Sequence, residues 1–384
     1  MKSKQANKIK IGFLLFLGIF ALAYLMVGCA RVVEPPITSP PEWRPLGDGL
    51  NGDVFALAFD RTNNNLYAGG SFTSAEGTTV NCIAKWNGAS WEALGYGLDA
   101  WVFTLIFDSA ANSLYAGGVF TQAEFSPTER INANYIVKWK NSASTWEALG
   151  SGVDDGPVDS FALDSSGNLY VGGRFTSIGG VAYNRIAKWN GSSWSTLGTG
   201  MDGGVFALAY DSTNNILYAG GTFTTAGGNT VDNVAKWDGS TWLPLGSGTN
   251  GYIMKLLYDA SNNILYAGGG FTTAGGVTAN RIAKWNGSSW SALGSGMNDD
   301  VLALARDPSR NILYAGGYFT SAEGNAVNHI AKWDGSSWSP LGTGMNNEVY
   351  ALVYDSSSNI LYAGGYFSTA GSVEANHIAR WGSF

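Results

Sequence analysis

Histidine and cysteine are nearly absent: the 384 residues hold two of each. A clustered Cys/His metal site needs more ligands than that. Charge is scarce too, at 13% of residues. Its sign is wrong for nucleic acid. Beyond the leading Lys2, Lys4, Lys8 and Lys10, 18 Lys and Arg face 29 Asp and Glu, a balance of −11. That body has no basic footprint for a duplex or a single strand. Phosphate loops, dinucleotide fingerprints, triad motifs and zinc-helix motifs are missing. Leucine heptads and amphipathic helical patterns are missing as well, which argues against an all-α protein. What the chain has in excess is glycine, 53 residues, and tryptophan, 15. An aromatic content of 13% argues against disorder.

The first 29 residues read as an address. Four lysines precede an apolar run from Ile11 to Val27, and a small residue, Gly28, precedes Cys29. That is the pattern of a secretory signal. Met26-Val27-Gly28-Cys29 resembles a bacterial lipobox, with Met26 where leucine is usual. The resemblance implies a diacylated Cys29 that becomes the new N-terminus. The other reading is an uncleaved anchor, whose 17 residues are short for a bilayer span. Both readings export the body and tether it to a membrane, outward-facing or periplasmic. Residues 30–42 hold Pro35, Pro36, Pro40 and Pro41 and read as a semi-rigid spacer. Cys82 then has no disulfide partner and is expected as a half-buried small side chain.

From residue 43 to 384 one unit recurs seven times. Trp43, Trp91, Trp146, Trp194, Trp242, Trp290 and Trp338 are spaced by 48 residues, except for one interval of 55. The unit reads W-x-x-L-G-x-G, V-x-A-L-x-x-D, N-x-L-Y-A-G-G-x-F, N-x-I-A-K-W. A period of this length points to a propeller or a solenoid. Its apolar runs are short and bounded by Gly, Asn, Asp or Ser, which predicts four strands per unit. In the first unit these are Val54–Asp60, Leu66–Phe72, Cys82–Trp86 and Trp91–Leu94. The Gly69-Gly70 pair and its equivalents would let neighbouring backbones approach closely. The final unit lacks a fourth strand, and the chain begins with a spare one. The expectation is an all-β, seven-bladed β-propeller of four-stranded blades, closed by Trp43–Leu46 pairing beside Ile378–Trp381. A linear solenoid would leave both the gap and the spare strand unexplained.

The order Gly69-Gly70, Trp86, Trp91 resembles kelch and galactose-oxidase-type propellers. The wording A-G-G-x-F-T and I-A-K-W-N-G-x-S-W is similar to the delta-60-type repeats of exported bacterial proteins. The resemblance spans residues 43–381. It implies the fold and little about activity, since propellers host many activities. The galactose oxidase family's copper site, with histidines and a Tyr-Cys crosslink, has no counterpart here.

Function should lie where the units differ. Trp101 alone among the tryptophans is out of register. It falls in the loop between an outer strand and the next inner strand, a class of loop that gathers at the channel mouth. The same loops carry Asp53, Asp99, Asp154, Asp155, Asp202, Tyr252, Asp299, Asp300 and Glu348. Aromatics beside carboxylates suit sugar stacking, a basic partner, or calcium held through oxygen ligands. A plain solvated rim would also be acidic. The second unit has seven extra residues around Glu124–Asn134, with Phe125 among them, expected to protrude on the same face. Asp159, Lys255 and Arg306 place charge on inner strands and are expected in the channel, solvated there or paired. His329 and His377 share a register with Cys82, Tyr135, Arg185, Asn233 and Arg281, which reads as partly solvent-facing. The Lys85 register is expected to pair charges between blades.

The expected function is non-catalytic: a tethered, monomeric module binding a protein or glycan on the acidic, aromatic face, with no cofactor beyond possible calcium and no nucleic acid. A polysaccharide-active enzyme would instead need two of these carboxylates across a scissile bond. A purely structural surface protein would have Trp101 packed away under a loop.

Overall fold

The computed structural model describes residues 40–384. The segment expected to be a secretory leader, Cys29 and the first part of the proline-rich stretch lie outside the described residues. Pro40–Ser383 is one compact unit. Among the described residues no helix is long and apolar enough to cross a membrane.

The body is a β-propeller. Seven four-stranded antiparallel sheets, one per repeat, follow one another along the chain. In the first, Val54–Asp60 is the inner strand, followed outward by Asn65–Gly70, Ile83–Trp86 and Trp91–Ala93. These bounds fall within one to two residues of the expected ones. The sheet of the seventh repeat contains Val349–Asp355, Ile360–Gly365 and Ile378–Gly382, and its fourth strand is Glu42–Pro45. Trp43 stands opposite Trp381 and Arg44 opposite Arg380.

Each sheet is apolar on both faces because each is packed between two others. The buried side chains form seven clusters that straddle neighbouring repeats. One joins Val54, Leu66 and Trp91 to Tyr362 and Ile378 of the seventh. The first glycine of each Gly-Gly pair makes this approach possible. A Cβ on Gly69 would stand 2.5 Å from a Val102 methyl, and one on Gly364 would stand 2.4 Å from a Val54 methyl. Outer-strand tryptophans tie sheet to sheet. The Trp91 indole donates to the Leu46 carbonyl and the Trp242 indole to the Leu197 carbonyl, at 3.0 and 2.9 Å. Each such indole also leans on a tryptophan of its own sheet, as Trp91 does on Trp86 at 5.4 Å between centroids.

Three features depart from the sequence reading. A short extra hairpin, Ser74–Ala75 with Thr78–Thr79 in the first repeat, recurs in all seven. In the Lys85 register, Lys85 pairs with Glu92 and Lys188 with Asp164, each within its own sheet. Cys82 is buried at 7% exposure, deeper than expected. Its whole register is in the left-handed region, from Cys82 (φ 65°) to His377 (φ 66°). The Asp60 register is buried in every repeat but the third, where Asp164 is half-buried, and caps its own turn: the Asp60 carboxylate accepts from the Thr62 and Asn63 amides.

Candidate functional site

Every inner strand carries a β-bulge one residue from its start. Between Val54 and Ala56 the pairing with Asn65–Gly70 shifts register, and the equivalent shift occurs in all seven repeats. A bulge re-aims the extra residue. Here the seven re-aimed residues are Phe55, Phe103, Asp159, Phe206, Met254, Leu302 and Tyr350, and all line one cavity of about 640 Å³. This is the start of the central channel. A second cavity, of about 560 Å³, is lined by the later residues of the same strands.

On one side of the mouth the aromatics are continuous. The Trp101 ring lies 6.0 Å from Phe55 and 6.5 Å from Phe103. Phe55 is 5.7 Å from Tyr350, which is 6.3 Å from Tyr318. The arc therefore spans four repeats, the second, first, seventh and sixth. Trp101 is 52% exposed, so it is not packed beneath a loop. Burial and the nearby Glu348 push the Tyr350 hydroxyl above its ordinary pKa, so it stays a neutral donor.

Carboxylates stand among these rings. Asp53 Oδ1 is 3.5 Å from His377 Nδ1. Partial burial raises the Asp53 pKa, the His377 ring lowers it, and Glu348 raises it again. Glu348 has one buried carboxylate oxygen, Oε2, with no hydrogen-bond partner. Asp300 accepts a short bond from the Tyr252 hydroxyl and lies 3.4 Å from Arg281 Nε. That bond, then burial, pushes the Tyr252 hydroxyl up to about 12. Asp299 is exposed and accepts from the Asp300 amide at 2.8 Å.

The remaining loop carboxylates are taken up by the fold. Asp202 accepts from the Thr224 amide, the Thr224 hydroxyl and the Thr225 amide. Asp155 does the same for Thr176 and Ser177, and Asp99 for Thr121 and Gln122. Asn250 and Asn298 fill the same post in other repeats. Asp154 accepts from the Gly179 and Gly180 amides, which hold its carboxyl below the usual range. Phe125 belongs to the enlarged hairpin Gln122–Ser126 and Glu129–Asn132, and is partly buried against the core of the second repeat. It does not line the cavity.

The three channel charges have different fates. Asp159 receives two 3.0 Å bonds from Arg174. Burial raises its pKa in spite of that partner. Arg306 is bound to Asp259 at 2.6 Å and to Asn311 at 2.8 Å. Lys255 lines both cavities. Among the described residues no group of three or more His, Cys, Asp or Glu is gathered as a metal site. His329 Nδ1 and His377 Nδ1 each face a carbonyl of their own repeat, Gly317 and Gly365.

Residues the sequence reading missed are Phe55, Phe103, Tyr318 and Tyr350. Phe55, Phe103 and Tyr350 lie inside regular inner-strand patterns, and only the bulge turns them toward the channel. Tyr318 carried a signal: it and Tyr366 follow a Gly-Gly pair where other repeats have Ser71, Val119 or Thr222.

Comparison with known proteins supports the propeller. Residues 37–199, less than half of the chain, match the model of the Rax2 C-terminal beta propeller domain. No curated protein matches the chain. Among solved structures, the extracellular domain described as that of a hybrid two-component system from B. thetaiotaomicron is similar, with a TM-score of 0.59 and 13% identity. The alignment covers 89% of this chain and 40% of that one, so this chain spans well under half of its neighbour's length. A likeness at that identity carries the fold and not the activity.

Proposed function

We propose that this chain is a non-catalytic recognition module on the outer side of a membrane. It is a closed ring of seven blades, joined by Glu42–Pro45, and tethered by a lipid on Cys29 through the proline-rich spacer. The pairing of Trp43 with Trp381, and the packing of Val54 on Gly364, support closure. Export is supported by the leader sequence, and the structural neighbour is itself an extracellular domain.

The ligand is a glycan, and the aromatic arc from Trp101 to Tyr318 is the observation that carries this. Half-exposed rings beside carboxylates offer sugar faces a stacking surface and sugar hydroxyls an acceptor. Asp53, Glu348 and Asp300 are the acceptors. A rim that was merely solvated would gain nothing from exposing an indole over two phenyl rings.

The test is a glycan and cell-wall polymer screen on the full chain, with and without calcium, repeated for Trp101→Ala. The expected result is binding that Trp101→Ala weakens about fivefold or more, since one stacked aromatic contributes about 1 kcal/mol or more. Glycan binding untouched by Trp101→Ala, or no glycan bound at all, would overturn it, and a protein partner sought in the native envelope would become the leading reading. Products of glycan cleavage lost in Glu348→Gln would make the chain an enzyme instead.

A further inference from the structure

The residue after each bulge forms the next level of the channel. Six of these seven are small: Ala56, Thr104, Ser160, Ala207, Ala303 and Ala351. Their smallness is what leaves the space. The seventh is Lys255, which borders both cavities and so stands at the middle of the passage. It has no ion pair and no hydrogen bond to any described residue, unlike Asp159 and Arg306 above and below it. Lys255 is solvent-exposed, and the solvent it meets is the water of the channel, which strands from all seven repeats surround. That enclosure alone moves its pKa, downward, and no carboxylate acts on it. A water-exposed cation without a counter-charge, set among protein walls, is open to pair with an anionic ligand.

Its neighbours on its own strand and the two adjacent inner strands are apolar next to it. Phe206, Met254 and Leu302 stand at the level above, and Leu208, Leu256 and Leu304 below. The other lining charges are engaged, Arg174 with Asp159, Arg306 with Asp259 and Arg61 with the Tyr354 carbonyl. Lys255 is thus the one lining charge left without a partner among the described residues. An apolar wall beside one such group is a common form of small-molecule site. We propose that the channel binds a small organic carboxylate with an apolar body, its carboxylate paired to the Lys255 ammonium. The body would lie in the space that the six small residues leave. The site is independent of the glycan reading of the rim, since it uses neither Trp101 nor the rim carboxylates.

The probe is 4-phenylbutyrate, compared with its neutral amide 4-phenylbutyramide, titrated calorimetrically against the full chain. The two differ only in the charge that Lys255 would meet. The carboxylate should bind about tenfold or more tighter than the amide, the ratio expected of one charge-assisted bond. Lys255→Met should erase that preference and leave the amide's affinity unchanged. Lys255→Arg should keep it. Trp101→Ala should alter neither, which separates failure here from failure of the rim reading. Equal affinity for acid and amide, a preference that survives Lys255→Met, or binding of neither probe would overturn the proposal. The last outcome would mean that channel water alone hydrates the ammonium.

Discussion

The Trp43 indole donates to the Leu341 carbonyl oxygen at 3.0 Å, across 298 residues of sequence. The equivalent bond elsewhere spans 45 residues, as from Trp91 to Leu46, or 52 from Trp146 to Leu94 across the longer second repeat. The chemistry is the same in both cases, and only the connectivity differs. An N-terminal strand therefore occupies the post that a C-terminal one holds in the other six sheets.

This relationship makes a prediction about stability. Trp43→Ala should cost about 3–5 kcal/mol, as expected for a buried aromatic. It should match Trp242→Ala, which sits in an uninterrupted repeat. Urea unfolding of both variants measures this. A loss below about 1 kcal/mol for Trp43→Ala alone would mean that the first strand contributes little, and that the seven sheets hold together without it.

Gly364 tests the same seam from the inner side. A Cβ there would stand 2.4 Å from a Val54 methyl. Gly364→Ala should destabilise by about 1–3 kcal/mol through overpacking. Val54→Ala removes the clashing methyls and costs stability by itself. The double variant should be less destabilised than the sum of the two, with a coupling of about 0.5 kcal/mol or more. Strict additivity in that cycle would place the two residues apart.

Much of this fold was legible because each repeat states its pattern again. A single V-F-A-L-A-F-D run reads as strand or buried helix, whereas seven copies bounded by Gly and Asn read only one way. The spare strand before Asp48 and the gap after Trp381 were legible by phase. The site was less so. Phe55 looks like core in the sequence, and a bulge between Val54 and Ala56 makes it channel lining. No residue type announces that bulge. Asp202 looked like a ligand group and is a loop brace, because its sequence neighbourhood hides that Thr224 and Thr225 fold back on it. Asn250 in the same register was the available clue, since an uncharged residue served there too. The left-handed register from Cys82 to His377 accepts many side chains because its constraint is on the backbone.

The loop brace carries its own pH signature. Partial burial raises the Asp202 pKa, but bonds from Thr224 and Thr225 outweigh it, and the net shift is downward. A depressed carboxylate stabilises the fold above the ordinary aspartate range, and that contribution is lost as pH falls through the folded-state value. Asp202→Ala should cost about 0.5–1.5 kcal/mol at neutral pH. Asp202→Asn should cost little, since Asn250 bonds Thr272 and Thr273 in the same way. Its stability should also fall less than that of the parent chain below pH 4. Thermal unfolding from pH 3 to 7 reads both effects, and glycan binding at pH 7 should be unchanged in Asp202→Asn.

Lys255 predicts the opposite sign. Its pKa is lowered by enclosure, so the unfolded chain holds that proton more tightly than the folded one. The folded state therefore bears a penalty at every pH below its lowered value. The penalty shrinks as pH rises from there and is gone above the ordinary lysine value near 10.5. Lys255→Met, an apolar side chain of similar length, should raise the unfolding free energy of the ligand-free protein at pH 7. The gain should fade on titration toward pH 11. A matched series of urea unfolding curves for parent and variant, at pH 7, 9 and 11, measures the difference. A variant less stable than the parent at pH 7 would mean that channel water, or a group brought near by motion, satisfies the ammonium better than its static surroundings do. A gain that stays constant from pH 7 to 11 would trace the effect to packing of the thioether against Leu256 and its neighbours rather than to charge.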